Sequence, residues 1–469
     1  MAADESVSAE RQEPPPAPGA PSGGDPGPAP EAGASPGAGA IDDPVRAAPQ
    51  AARFVSLDVL RGFALLGILA MNVMTFAMPF AAYQNPTAYP EDYDANIWTY
   101  RIVHIVFDLK MMALFSMLFG AGVVIWARKP QEISRPGSLR WLWLRRMGWL
   151  LAIGMVHAWL IWEGDILVAY AICGMVVLWW LRRLAPVWLV VIGAALFVVH
   201  LLLNFGNGWW TTQLFAESSP VAASMPAEQL AEARDGIRAW MDPTPEQLAE
   251  QLAALDGDWR TVFEHRAENV LWIQLQGIPF FLFWRCSALM LLGAALTKWG
   301  VFTGERSARF YIAMAALGYA IGLPLVIAGL RYNETHGFEM ISYLTVGGWF
   351  NTIGSVPVAL GHAGLLLLIV KLGLLRGLCF GLARVGQMAF TNYLMQSILC
   401  SLIFYGWGLG LAGDVSRLQQ ELVVLGIWIV QIAWSVWWLR RFRFGPAEWL
   451  WRSLTYWKPQ PMRRPGAPS

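Results

Sequence analysis

Residues 57–76 read LDVLRGFALLGILAMNVMTF. A helix needs about 20 residues to cross the hydrocarbon core of a bilayer, and this stretch supplies them. It also carries Asp58, Arg61 and Asn72, which a helix that only anchors does not need. Arg61 and Asn72 are eleven residues apart. That is close to three whole helical turns, so both lie on one face, about 16 Å apart along the axis. Asp58 lies near the same face, one turn before Arg61. The stripe predicts a helix turned toward a bundle interior or a wetted cavity. The plainer alternative is an Arg61–Asp58 pair near the headgroups, with Asn72 bonding to another helix.

The rest of the chain agrees with a membrane setting. Of 469 residues, 56% are hydrophobic and 14% charged, against about a quarter charged in soluble chains. The fold class expected is therefore all-α: a polytopic membrane helix bundle of about ten transmembrane helices. The segments are 57–78, 98–126, 141–162, 165–181, 186–205, 270–297, 308–330, 347–374, 386–406 and 421–440. Arg128, Lys129, Arg135, Arg140, Arg145 and Arg146 lie between the second and third, Arg182 and Arg183 between the fourth and fifth. Lys298, Arg306 and Arg309, then Lys371, Arg376 and Arg384, then Arg440, Arg441 and Arg443 mark later connections on the same side. The alternate short connections carry few cations, so both termini are expected in the cytoplasm, with the protein in the cytoplasmic (inner) membrane.

The expected division is a Pro/Ala/Gly-rich disordered tail (1–50), spans 1–5 (51–205), an extracytoplasmic connection (206–269), spans 6–10 (270–440) and a terminal tail (441–469). In the connection, Thr244, Pro245 and Gln247 fit a capped helix start, either a small lid or a spacer. The net charge of +1 gives no nucleic-acid footprint. The four cysteines have no paired spacing and are expected as inert buried thiols. No metal-ligand spacing, phosphate loop or Gly-x-Ser-x-Gly elbow is present.

Polar groups at membrane depth are the site candidates. In span 2, Arg101, His104 and Asp108 share a face and can form an internal network, while Lys110 points elsewhere and needs an anion or a wet cavity. Span 3 turns into span 4 as HAWLIWEGDILVAYA. Here His157 can take a proton, Asp165 can orient it, and Asn72 at matching depth can hold a carbonyl or hydroxyl. A capped, solvated turn explains Glu163 and Asp165 equally well. Arg285 in span 6 is expected to meet Asp108 or a bound anion, and His362 lies within span 8. Span 9 holds Gln387, Thr391, Asn392, Gln396 and Ser397; Asn392 and Gln396 share a face suited to interhelical hydrogen bonds.

The end of the chain, WWLRRFRFGPAEWLWRSLTYWKPQPMRR, alternates aromatic rings with Arg and fits a helix lying on the cytoplasmic membrane face. Together with GQMAFTNYLMQSILCSLIFYGWGLGL, SLDVLRGFALLGILAMNV and WEGDILVAYA, it resembles the bacterial YeiB-like family, domain of unknown function 418. The likeness spans about residues 53 to 464. That family has no firmly assigned activity; a transport role has been suggested for it.

A more distant resemblance is to the transmembrane acyltransferases, which also begin with an Arg-Gly at the foot of span 1. Where the acyltransferase-3 pattern places a His, this chain has Asn72. The lysosomal heparan-glucosaminide acetyltransferase also has Asn there and a His eleven residues on; here that position is Tyr83. His157 or His104 would have to supply the base. The resemblance implies an acyl-CoA donor such as acetyl-CoA, drawn from the cytoplasm, and a sugar or envelope acceptor. Asp58, Arg61, His104, Asp108, Lys110, Arg285, His362, Asn392 and Gln396 would then line the substrate path, around a catalytic Asn72, His157 and Asp165. No resident cofactor or metal is expected, and the oligomeric state is left open. The alternatives are a permease for a small polar solute, using the same buried charges, or a membrane scaffold without turnover.

Overall fold

The computed structural model describes residues 49–88, 93–128 and 138–464, all within one unit, Asp42–Ser469. The tail expected at 1–50 lies outside the described residues except for Pro49 and Gln50, as do Lys129 and Arg135. Among the described residues every regular element is a helix, and a lone β-bridge joins Phe442 to Arg463.

Helix α1 (Pro49–Ala77) is followed by the short α2 (Ala81–Gln84), then α3 (Tyr93–Val106) and α4 (Lys110–Arg128). Helices α5 (Ser138–Leu160) and α6 (Leu167–Cys173) flank a tight turn, and a π-type turn leads from α6 to α7 (Trp179–Leu181). The long α8 (Pro186–Phe215) is followed by α9 (Pro220–Ser224), α10 (Ala227–Met241) and α11 (Pro245–Leu255). Helix α12 (Trp259–Trp272) runs through a π-type stretch, Ile273–Leu282, into α13 (Phe283–Lys298). Pro279 lies in that stretch; it has no N–H to give, so the helix widens there. The rest is α14 (Ala308–Thr335), α15 (Met340–Ser342), α16 (Gly348–Leu372), α17 (Arg376–Gln387), α18 (Ala389–Phe404), α19 (Arg417–Arg441) and α20 (Pro446–Tyr456).

Among the described residues seven helical stretches are long and apolar enough to cross a membrane, and two shorter apolar ones are Leu167–Leu181 and Ala389–Phe404. Most of α1 is buried, whereas α8, α14 and α19 leave apolar side chains such as Leu202, Leu317 and Ile429 exposed. An apolar outer surface around a packed centre is the arrangement a bilayer accepts. Helix α8 continues to Phe215, past the expected end at 205. Thr244 and Gln247 form the expected reciprocal cap of α11.

Two helix crossings are set by glycine pairs. A methyl group at Gly120 of α4 would lie 1.9 Å from the Met290 carbonyl oxygen of α13, and one at Gly293 of α13 would lie 1.9 Å from that of Met117. The same reciprocity joins Gly62 to Leu382 and Gly386 to Asp58 across α1 and α17, at 2.0 and 1.9 Å. Small residues let membrane helices approach to backbone contact. A side chain here meets backbone that cannot rotate away. Gly293→Val is therefore expected to lower detergent-solubilised stability by about 3 kcal/mol or more. An unchanged melting temperature would show that α4 and α13 separate without cost.

The terminal segment packs against the bundle. Helix α18 begins at a break after Gln387, so its first N–H groups lack partners within the helix. Glu448 of α20 takes them: Oε1 accepts from the Phe390 and Thr391 N–H groups at 2.7 and 3.2 Å, and Oε2 from Thr391 Oγ1 at 2.5 Å. Burial pushes the Glu448 carboxyl up, against the pull of these bonds. The Trp451 indole donates to the Arg146 carbonyl at 2.8 Å, and the Arg146 guanidinium lies 3.6 Å from that ring's centre.

Candidate functional site

Helix α5 ends as the His157 carbonyl accepts from the N–H groups of Ile161 and Trp162. The chain then reverses and presents Asp165. One Asp165 oxygen accepts the Val168 N–H at 2.8 Å, as a capping aspartate does at a helix start. The other lies 2.7 Å from His157 Nδ1. With the carboxylate ionised and the imidazole neutral, Nδ1 carries the proton and Nε2 the lone pair. Nε2 lies 2.9 Å from Ser397 Oγ of α18. His157, Asp165 and Ser397 are 1%, 4% and 2% exposed. The turn is thus capped, as one expectation held, but buried rather than solvated.

Tyr393 is one turn before Ser397, and its ring centre is 5.1 Å from that of His157. Its oxygen accepts the Ile166 N–H at 3.3 Å, while its own O–H meets no acceptor among the described residues. Trp162 closes another side, stacked on Phe76 of α1 at 4.6 Å. The 206–269 connection packs over this end of the bundle. Leu255 and Val262 join the core formed by Phe76, Trp162, Phe404 and Tyr405. Arg266 is 2% exposed, donates to the Ile161 carbonyl, and stands 3.9 Å from Glu163. Burial raises the Glu163 carboxyl and Arg266 opposes that rise.

A second polar cluster forms where span 2 breaks. Phe107–Leu109 leave the helix, with Leu109 at φ +58°. The break frees carbonyls that α3 would otherwise use, and two side chains take them. Lys110 Nζ donates to the His104 carbonyl at 2.6 Å, and His362 Nε2 lies 3.0 Å from that of Val106. Asp108 sits at the break as a hub. It accepts from Tyr83 at 2.7 Å and Asn351 Nδ2 at 2.6 Å, with His104 Nδ1 at 3.1 Å. Asn351 Oδ1 accepts from Lys110 at 2.5 Å, so one amide bridges the anion and the cation. Tyr83 is part of this cluster.

Several expectations are corrected. Arg101 does not join His104 and Asp108; it pairs with Glu334 of α14 at 2.6 Å, because the two lie at one end of adjacent helices. Arg285 does not meet Asp108. It donates to Ser355 Oγ at 2.8 Å and the Thr352 carbonyl at 3.3 Å, its Nε has no partner, and no carboxylate pairs with it among the described residues. Asn351 and Ser355 are one turn apart on α16, so they hold Lys110 and Arg285 about 6 Å apart along the helix axis. Half-buried Asn72 shares no hydrogen bond with His157 or Asp165 among the described residues. Asp58 and Arg61 pair at 2.8 Å, beside the α1–α17 crossing.

The remaining candidates act within the frame. His362 Nδ1 lies 2.8 Å from the Tyr319 hydroxyl, so both ring nitrogens are occupied. Asn392 donates to Ser435 at 2.9 Å and Gln396 to Gln431 Oε1 at 2.9 Å, tying α18 to α19. Among the described residues no group of His, Cys, Asp and Glu is placed to hold a metal. Ser397, Tyr393, Arg266 and Asn351 had no role in the sequence reading; Ser397 stood out only as one polar residue among several in span 9.

A family model described as a protein of unknown function (DUF418) matches residues 296–458. The chain is 32% identical over 412 residues to the uncharacterized protein YeiB of Escherichia coli (strain K12), covering 86% of this chain and 96% of that one. It is 30% identical over 419 residues to the uncharacterized protein YxaH of Bacillus subtilis (strain 168), covering 87% and 95%. The family model takes in Ser397 and Glu448; the relatives' coverage extends well beyond it.

Proposed function

The chain belongs to the DUF418 family, and from that premise we propose that it is a membrane-embedded acyltransferase. It moves an acyl group from an acyl-CoA thioester to a hydroxyl or amine on a sugar or envelope molecule. The observation that carries this reading is the buried line Asp165–His157–Ser397. A histidine held by a carboxylate at Nδ1 with its Nε2 lone pair turned to a hydroxyl is a general base in waiting. His157 takes the proton of the attacking group, and Asp165 stabilises the imidazolium that results. Lys110 and Arg285 are buried cations on one face of α16, suited to an anionic donor. The Lys/Arg pattern of the connections supports a cytoplasmic membrane location with both termini inside. The site then lies toward the far side, under the 206–269 connection. Because the three residues are almost fully buried, turnover requires that connection or the 161–166 turn to move aside.

The test is a melting curve of the detergent-purified protein with and without CoA and acetyl-CoA. A ligand at about 100 times its dissociation constant adds about 2.7 kcal/mol to the folded state. We expect a rise in melting temperature that disappears in Arg285→Ala. No rise with either ligand would sink the acyl-CoA reading. A second reading is transport of a small polar solute. It is favoured by the broken span at Phe107–Leu109 with Asp108, His104 and Lys110 beside it, since transporters place their sites at interrupted helices. Ligand-independent melting together with solute uptake by proteoliposomes would move that reading to first place.

A further inference from the structure

We propose that Ser397 is a covalent acyl carrier, so that the transfer proceeds by two displacements rather than one. The proposal rests on the acyl-transfer reading above and deepens it. Hydroxyls inside helices often bond back to their own backbone. This chain does so at Thr212, Thr297, Thr345, Thr352 and Thr455, each to the carbonyl four residues earlier. Ser397 does not. Its only hydrogen bond among the described residues is with His157 Nε2, at 2.9 Å. Nδ1 is held by Asp165, and Asp165 is fixed in turn by the Val168 N–H. This is the order of groups that activates a serine oxygen: nucleophile, base, orienting carboxylate. Three elements remote in sequence supply it, α18, α5 and the 161–166 turn.

The chemistry balances without any further reagent. Ser397 Oγ attacks the thioester carbonyl carbon while its proton passes to His157 Nε2. The C–S bond breaks, and the CoA sulfur leaves with that proton as the free thiol. An acyl ester on Ser397 remains. His157 then takes the proton of the acceptor hydroxyl or amine, which attacks the ester carbon. The bond to Oγ breaks, and Ser397 recovers the proton from His157. Tyr393, one turn away with its ring 5.1 Å from that of His157, would donate its O–H to the carbonyl oxygen in both steps. An ester held on the protein also lets CoA leave before the acceptor arrives, so the two substrates need not occupy the buried site together.

The experiment uses the full-length protein in detergent with a fluorophosphonate fluorophore, which loses fluoride to an activated serine and requires no knowledge of the natural donor. Intact mass is recorded in parallel after incubation with acetyl-CoA alone. We expect one labelled site, mapped to Ser397, and a mass increase of one acetyl group from acetyl-CoA. Ser397→Ala should abolish both with little change in melting temperature. His157→Gln should slow labelling by about 10²–10⁴-fold. Ser397→Cys should regain an adduct with acetyl-CoA, now a thioester that hydroxylamine cleaves rapidly at neutral pH. A folded wild-type protein that labels elsewhere or not at all overturns the proposal. If Ser397→Ala still releases CoA thiol from acetyl-CoA at the parent rate, the carrier is excluded while the acyltransferase reading stands, with His157 acting directly on the attacking group. If the wild type neither labels nor releases thiol, both readings fall.

Discussion

On the acyl-transfer proposal, an Asp165→Asn protein is expected to melt close to the parent and to transfer acyl groups about 10⁴-fold more slowly. The expectation follows from which proton goes where. Asparagine keeps the shape of the side chain, and its carbonyl oxygen can still accept the Val168 N–H, which Asp165 accepts at 2.8 Å. That leaves the amide NH₂ facing His157 Nδ1 in place of the carboxylate oxygen now at 2.7 Å. An NH₂ group donates only, so the imidazole must turn its lone pair to Nδ1 and carry its proton on Nε2. Nε2 then donates to Ser397 instead of accepting from it, and the base is lost while the packing stays. No buried charge is left without a partner. The measurement is CoA thiol release per folded molecule at saturating acetyl-CoA, with the melting temperature beside it. A loss of less than tenfold would remove Asp165 from the orienting role. His157→Ala is a poorer test, because it leaves the Asp165 carboxylate buried with only a backbone donor, and its activity loss is mixed with instability.

The parts of this site that could be read in the sequence are those in which the partners are local. His157 and Asp165 are eight residues apart across one turn, so an apolar span ending at a Trp-Glu-Gly-Asp run already brings them near each other. Ser397 is 240 residues from His157. Helical periodicity placed it on a span and gave it no partner, because a period fixes a face and not the neighbour that the face meets. The same limit applies to Asn72. Eleven residues correctly set Arg61 and Asn72 on one helix, but depth along α1 did not bring Asn72 to the histidine. The network drawn for Arg101, His104 and Asp108 assumed an unbroken helix. Span 2 breaks at Leu109, where the sequence FDLK contains no Gly or Pro to signal it. The break is held instead by Lys110 and His362, which satisfy the freed carbonyls at 2.6 and 3.0 Å. The helical nature of the ten apolar segments, in contrast, needed only composition and length, although seven described stretches rather than ten are long and apolar enough to cross a membrane. Each falls on a helix or on two helices joined by a short break.

Asp108→Ala is expected to cost about 3–5 kcal/mol of folding stability, the largest loss of any single change to the polar interior. The carboxylate accepts from Tyr83 and Asn351 at 2.7 and 2.6 Å, with His104 at 3.1 Å. Removing it leaves Lys110, which is 0% exposed, as a buried ammonium whose remaining contacts are dipoles: the His104 carbonyl and Asn351 Oδ1. In an apolar medium that charge has no route to water along its own stem. Lys110→Met alone is expected to cost less, because Asp108 keeps three donors. Combining Lys110→Met with Asp108→Asn removes both charges and keeps the bond to Asn351 within reach, so the double variant should be more stable than Asp108→Ala alone. Chemical denaturation of the parent, Asp108→Asn, Lys110→Met and the double variant in one detergent forms a double-mutant cycle, with an expected coupling of about 1–3 kcal/mol. Strict additivity would mean that the two charges do not compensate each other through Asn351. The break at Leu109 would then stand on its backbone turn alone. A coupled result ties the break to the two bridged charges: an anion and a cation, joined by one amide, occupy the gap that the interrupted helix leaves.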